Sequence, residues 1–283
     1  MREVFWLKLA VIGSDARMEM TARLLAAEGC EAKLLSAAGT DDWQDTLRAA
    51  DGLLLPYPWS VRDGKVPGWQ HGGVEALLRL LPRGALLMAG MGLVGTEAER
   101  LAGEMGHRLR YYAEDAAFAG RNAEISAEAA ICAAMSRTGC MLDEQRVLLM
   151  GYGLFGKAIA WRLGALGAKV WVAARRKRQR REAAADGFVP VPLEGISALA
   201  PGIDLVLNTI PAVVLGRQEL SFFPEHTIFL ELASPPYGID LSAAAEAGCN
   251  VSVLPGLPAA YAPLSAARAL KNAVLRQCKE EGK

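Results

Sequence analysis

The run Val147-Leu148-Leu149-Met150-Gly151-Tyr152-Gly153-Leu154-Phe155-Gly156-Lys157 constrains this chain more than any other stretch. An apolar segment ends in glycines spaced GxGxxG and passes into a helical pattern, which is the order strand, tight turn, helix start. Each glycine has its own task. Gly151 permits the turn, Gly153 lets a phosphate approach the backbone, and Gly156 lets the helix pack closely on the strand. The N–H groups at the helix start then face an anion. Glycine turns are common, so the surroundings have to decide. Ile159, Leu163 and Leu166 recur at helical spacing, Gly167 ends the helix, and 168–173 reads as a second strand. The stretch predicts a dinucleotide-binding site contacted by Gly151, Tyr152, Gly153, Leu154, Phe155 and Gly156.

The end of that second strand bears on which dinucleotide. NAD sites place Asp or Glu there, about 20 residues past the glycines, to hold the ribose hydroxyls. This chain reads Ala173-Ala174-Arg175-Arg176-Lys177-Arg178 instead. With no carboxylate to repel a 2′-phosphate and guanidinium groups to grip it, Arg175 and Arg176 point to NADP. The later Arg178, Arg180 and Arg181 read as a solvated face.

Strand and helix signals alternate on both sides of the elbow. In the first half they run from Lys8–Gly13 to Arg108–Tyr111; in the second, Phe188–Val191, Asp204–Asn208, Thr227–Glu231 and Asn250–Leu254 complete a six-strand pattern. The expected architecture is α/β: two Rossmann-like parallel-sheet domains with a cleft between them, arranged like the 2-hydroxyacid dehydrogenases. Residues 1–121 form the substrate-side domain and 122–283 the dinucleotide-binding domain. The latter includes a linking helix at 122–138, and a last helix at 264–279 can pack back on the first domain. The length, 283 residues, suits two domains, and 52% hydrophobic with 22% charged residues describes an ordinary globular protein. Formal charge is zero, so no general attraction to nucleic acid or membrane is implied. Met1–Lys8 is too short and charged for a signal peptide, and the expected compartment is the cytoplasm. Five scattered cysteines without a CxxC pair read as reduced thiols, and no zinc-ligand spacing appears.

Loops after parallel strands gather at the sheet edge where ligands bind. Gly13-Ser14-Asp15-Ala16-Arg17 puts a cation beside a helix start, with Asp15 as its cap. The loop from Leu55 to Gly64 carries Arg62. Arg17, Arg62 and Arg121 are candidate ligands for an acidic substrate. Asp115 and Glu128, before and on the linking helix, are candidate proton acceptors, with water as the alternative. Asn208, Thr209, Ile210 and Pro211, followed by the loops 232–240 and 255–263, close the nicotinamide end of the site.

Taken in order, these segments resemble the family formed by the A subunit of dipicolinate synthase. The likeness is carried by Gly13–Arg17, Leu55–Pro58 with Arg62-Asp63-Gly64, Glu114-Asp115 with Asn122 and Glu128, GYGLFG, Ala174-Arg175-Arg176, Asn208–Ala212 and Pro255–Pro258. It implies an NADP-dependent oxidoreductase of the diaminopimelate branch in spore-forming bacteria. Such an enzyme makes pyridine-2,6-dicarboxylate from a dihydro- or hydroxytetrahydro-dipicolinate and works with the flavoprotein-like B subunit of dipicolinate synthase; a homo-oligomer is the analogy for its assembly. Lysines expected from the family in the last two loops are absent: Pro235, Tyr237, Ala259, Ala260 and Leu264 stand in those segments.

Two other readings stay open. A 2-hydroxyacid dehydrogenase needs a general acid/base, usually His, and the chain has only His71, His107 and His226, with none in 255–263. Of these, His107 and His226 are expected to face solvent. A non-catalytic NADP-binding protein is the other alternative.

Overall fold

The computed structural model describes residues 7–35, 42–56, 65–66 and 69–281. In chain order the first elements are β1 (Lys8–Ile12), α1 (Ala16–Ala27), β2 (Glu31–Leu35), α2 (Trp43–Arg48), β3 (Gly52–Leu54), α3 (Val74–Leu80), β4 (Leu86–Ala89), α4 (Glu97–Glu104) and β5 (Arg108–Tyr111). After α5 (Ala116–Thr138) come β6 (Arg146–Met150), α6 (Leu154–Ala165), β7 (Lys169–Ala173), α7 (Lys177–Ala185), β8 (Val189–Val191) and α8 (Ile196–Leu199). The chain closes with β9 (Leu205–Asn208), α9 (Arg217–Leu220), β10 (Ile228–Glu231), α10 (Leu241–Glu246), β11 (Asn250–Val253), α11 (Leu257–Tyr261) and α12 (Pro263–Glu281).

The chain divides into two compact units, Met1–Asn122 with Pro258–Lys283, and Ala123–Leu257. The first is a five-stranded parallel sheet ordered β2-β1-β3-β4-β5, whose reversal point lies between β1 and β3. Here α12 packs along α1, fastened by Lys271 to Glu28 at 2.7 Å. The second is a six-stranded parallel sheet ordered β11-β10-β9-β6-β7-β8, with the reversal between β6 and β9. That is the strand order of a dinucleotide-binding fold.

Its central strands β6, β9 and β10 carry buried apolar runs because helices cover both faces, while the edge strands β8 and β11 are more exposed. The period-two alternation shares each strand between two cores. Val147, Leu149, Leu205 and Leu207 pack on one side with Ile159 and Leu163 of α6, and Leu148, Met150, Val206 and Phe229 pack on the other. Each such side chain contributes about 1.5–3 kcal/mol by leaving water, which fixes the strands whose ends carry the polar groups described below.

Three local expectations need correction. The linking helix starts at Ala116, not Asn122, because Asp115 caps it by accepting from the Phe118 N–H at 2.9 Å; Asn122 is therefore inside the helix. The segment 255–263 is partly helical, as α11. His107 is buried, with Nε2 3.1 Å from the carbonyl oxygen of Leu78, rather than facing solvent.

Candidate functional site

The elbow between β6 and α6 is built by the protein at two of its glycines and left open at the third. Gly151 has φ +97°, and a methyl group there would lie 2.3 Å from Thr209 Oγ1. That hydroxyl in turn donates to the Met150 carbonyl at 2.8 Å. At Gly156 a methyl group would sit 2.2 Å from the Gly151 carbonyl oxygen. Gly153, with φ −84° and ψ −166°, would meet no protein atom within 4 Å. Packing thus demands the outer two glycines, while the middle one leaves backbone N–H groups at the start of α6 bare to an approaching phosphate. This space fits a dinucleotide. Tyr152, predicted as a contact, turns its side chain inward: it is buried and its hydroxyl donates to Asp186 at 2.6 Å. Burial, then this bond to a carboxylate, pushes its phenol up. Leu154 is exposed and Phe155 packs partly on the core, so Tyr152 offers a ligand only its backbone.

At the end of β7, Arg175 is exposed and Arg176 occupies the N-cap of α7. Neither has an ion-pair partner among the described residues. By contrast Arg178 and Lys157 both bind Glu182, at 2.7 and 2.8 Å. Arg180 departs from the solvated face expected of it. It is half-buried, and its Nη1 donates to the carbonyls of Ala174 and Arg175 at 2.7 and 2.8 Å. A guanidinium tying down two consecutive carbonyls fixes the turn from which Arg175 and Arg176 project.

Past the reversal point, Asn208 ends β9 fully buried, and Glu231 ends β10 beside it in register, also fully buried. Asn208 holds its own turn: its Nδ2 donates to the Ile210 carbonyl and its Oδ1 accepts from the Ile210 N–H, both at 3.0 Å. In the sequence Glu231 reads only as a strand end. Its signal there is a charged residue closing an apolar strand, Ile228-Phe229-Leu230-Glu231, which a solvent-facing position explains equally well.

In the first unit, Arg17 sits in the first turn of α1, directly after β1 at the sheet's reversal point. It is 1% exposed and donates to Asp15 at 2.9 Å; Asp15 also caps the helix through the Met18 N–H. Arg62 lies outside the described residues. Arg121 is exposed on α5. Asp115 pairs with Arg276 of α12 at 2.6 Å, and that guanidinium holds its carboxyl below the usual range, which makes it a poor proton acceptor. Glu128, in the part of α5 belonging to the second unit, is exposed and pairs with Arg162 of α6 at 3.0 Å. His71 stacks on Trp43 with centroids 5.3 Å apart, and His226 lies 3.5 Å from Asp204 at the start of β10, the end of the sheet opposite the elbow.

Two doubly wound units, one bearing a glycine elbow of dinucleotide-binding shape, define the architecture of the two-domain dehydrogenases. D-2-hydroxyisocaproate dehydrogenase shares this fold, with a TM-score of 0.53 at 15% identity over 94% of each chain. The particular likeness is to the A subunit of dipicolinate synthase. The chain is 27% identical to that protein of Bacillus subtilis (strain 168) over 281 residues, 94% of each chain. It superposes on the crystal structure of the same protein from Bacillus halodurans with a TM-score of 0.80 and 26% identity, covering 95% of this chain and 96% of that one. The resemblance carried by the motifs thus extends over nearly the whole sequence. No family model matches the chain. No helix among the described residues is long and apolar enough to cross a membrane.

Proposed function

We propose that the chain is the NADP-dependent dehydrogenase component that oxidises a dihydro- or hydroxytetrahydro-dipicolinate to pyridine-2,6-dicarboxylate. The observation that carries this reading is the open Gly153 between two glycines that the protein itself requires. The two exposed arginines that follow β7 support the 2′-phosphorylated coenzyme over NAD. The name and near full-length match of the Bacillus relatives support the substrate and a partner B subunit.

Bound NADP⁺ would supply the hydride acceptor. The chain's own residues hold and orient. Gly151, Gly153 and Gly156 with the start of α6 take the pyrophosphate, Arg175 and Arg176 the 2′-phosphate, and Asn208 to Pro211 the nicotinamide side. Arg17, Arg62 and Arg121 take the substrate carboxylates, and the lysines absent from 232–240 and 255–265 weaken the hold on the acid or change which acid is bound. From the dihydro substrate a proton leaves a ring carbon as the hydride leaves its neighbour; the hydroxytetrahydro substrate first loses its hydroxyl as water to reach that level. Because the product is aromatic, a weak acceptor suffices. Asp115 is committed to Arg276 and Glu128 pairs with Arg162, so Glu128 serves only by releasing that partner and water is the simpler acceptor.

The test is direct: mix the purified chain with freshly made dihydrodipicolinate, NADP⁺ and a candidate B subunit, and follow pyridine absorbance. Pyridine formation matched by NADPH is expected. Reduced coenzyme appearing only with 2-hydroxyacids, or coenzyme binding without turnover under any combination, would contradict it.

A further inference from the structure

The buried carboxylate of Glu231 has no assigned task, and its surroundings suggest one. Asn208 Nδ2 donates to its two oxygens at 2.7 and 2.9 Å. The backbone N–H of Ala233 reaches Oε1 at 2.9 Å, and those of Gly238 and Ile239 reach Oε2 at 3.0 and 3.1 Å. These donors come from two loops at the same edge of the sheet, the turn after β9 and the segment 232–240 after β10. Close approach is built in, since a methyl group at Gly238 would lie 2.4 Å from the Asn208 side chain. Every contact is a donor and none is a formal cation, which matches the acceptor oxygens of a carboxylate. A fully buried charge is a costly way to join two loops when apolar packing serves as well. What it adds is direction, because each N–H must point at one of two oxygens.

The position gives that direction a use. β9 and β10 lie on the side of the reversal point away from β7 and its arginines. A dinucleotide lying across the carboxyl ends of the strands puts its adenosine half over β6 and β7 and its nicotinamide half over β9 and β10. We propose that Glu231 is a positioning residue that locks the two loops facing the nicotinamide, acting through Asn208 and the 232–240 backbone rather than by touching the coenzyme. This rests on the coenzyme reading above.

Glu231→Gln tests it, because an amide nitrogen replaces one acceptor and faces N–H donors. Calorimetry compares NADPH with its adenine-side fragment, 2′-phospho-ADP-ribose. NADPH affinity is expected to fall by about tenfold or more, while the fragment stays within about twofold of wild type. In hydrogen exchange, the Ala233, Gly238 and Ile239 amides should be protected in the wild type and fast in the variant. Glu231→Asp, which keeps the charge but withdraws it, should recover part of the NADPH affinity, and it serves for the same comparison if Glu231→Gln does not fold. Equal loss for NADPH and fragment, or no loss for either, overturns the positioning role. A wild type that binds neither molecule overturns the coenzyme reading itself and this inference with it.

Discussion

The space around Gly156 is closed by Gly151, whose carbonyl oxygen would lie 2.2 Å from an added methyl group, whereas the same addition at Gly153 meets nothing within 4 Å. The two positions therefore separate folding from binding. Gly156→Ala should destabilise the second unit by about 1–3 kcal/mol, because backbone must shift to admit the methyl. Gly153→Ala keeps a backbone that alanine adopts readily, so its melting temperature should hold or rise slightly while dinucleotide affinity falls. Thermal melts with coenzyme titrations check both. A Gly153→Ala protein that melts early and binds normally would reverse the assignment.

Arg180 provides a second separation. Removing it frees the Ala174 and Arg175 carbonyls without removing either proposed phosphate ligand. Arg180→Ala should lower the ratio of NADPH to NADH affinity by several-fold, about 1 kcal/mol for a loosened turn. Arg180→Lys, which keeps a donor, should restore part of it. An unchanged ratio in Arg180→Ala would mean that the turn holds its shape unaided.

Acid should weaken the first unit through Asp115. Its folded carboxyl is held low by Arg276, first through their hydrogen bond. The pair therefore stabilises the folded chain above the unfolded carboxyl value of about 3.9, and loses that contribution as pH falls through the lower folded value. In Asp115→Asn the amide oxygen still caps α5 but the ion pair is gone. The wild type should melt above this variant at pH 7, and the gap should shrink from about pH 4 downward and close only below the lower folded value. A gap independent of pH would assign the stabilisation to the cap alone.

Much of this architecture is legible in the sequence because it rests on local rules. The elbow, the strands of both sheets and the helix after the glycines follow from apolar runs and turn residues close to one another in the chain. What escapes a sequence reading depends on distant partners. Asp115 reads as a candidate proton acceptor until Arg276 is folded against it, and Arg180 reads as one more member of a basic run until the chain doubles back under its own turn. The apolar spacing that starts the helix at Asn122 misses its first turns, where Gly120 weakens the helical pattern but is tolerated because the cap lies upstream. Glu231 shows the same limit, since no spacing reveals that its donors come from a loop ending at Ile239.

The central claim is that Arg175 and Arg176 hold a 2′-phosphate at the end of β7. Dissociation constants for NADPH and NADH, measured for the wild type and for Arg175→Asp with Arg176→Asp, test it most directly. The wild type should prefer NADPH, and the double substitution should raise the NADPH constant by about 100-fold or more while changing the NADH constant only a few-fold. Equal changes for both coenzymes, or a wild type that favours NADH, would contradict it.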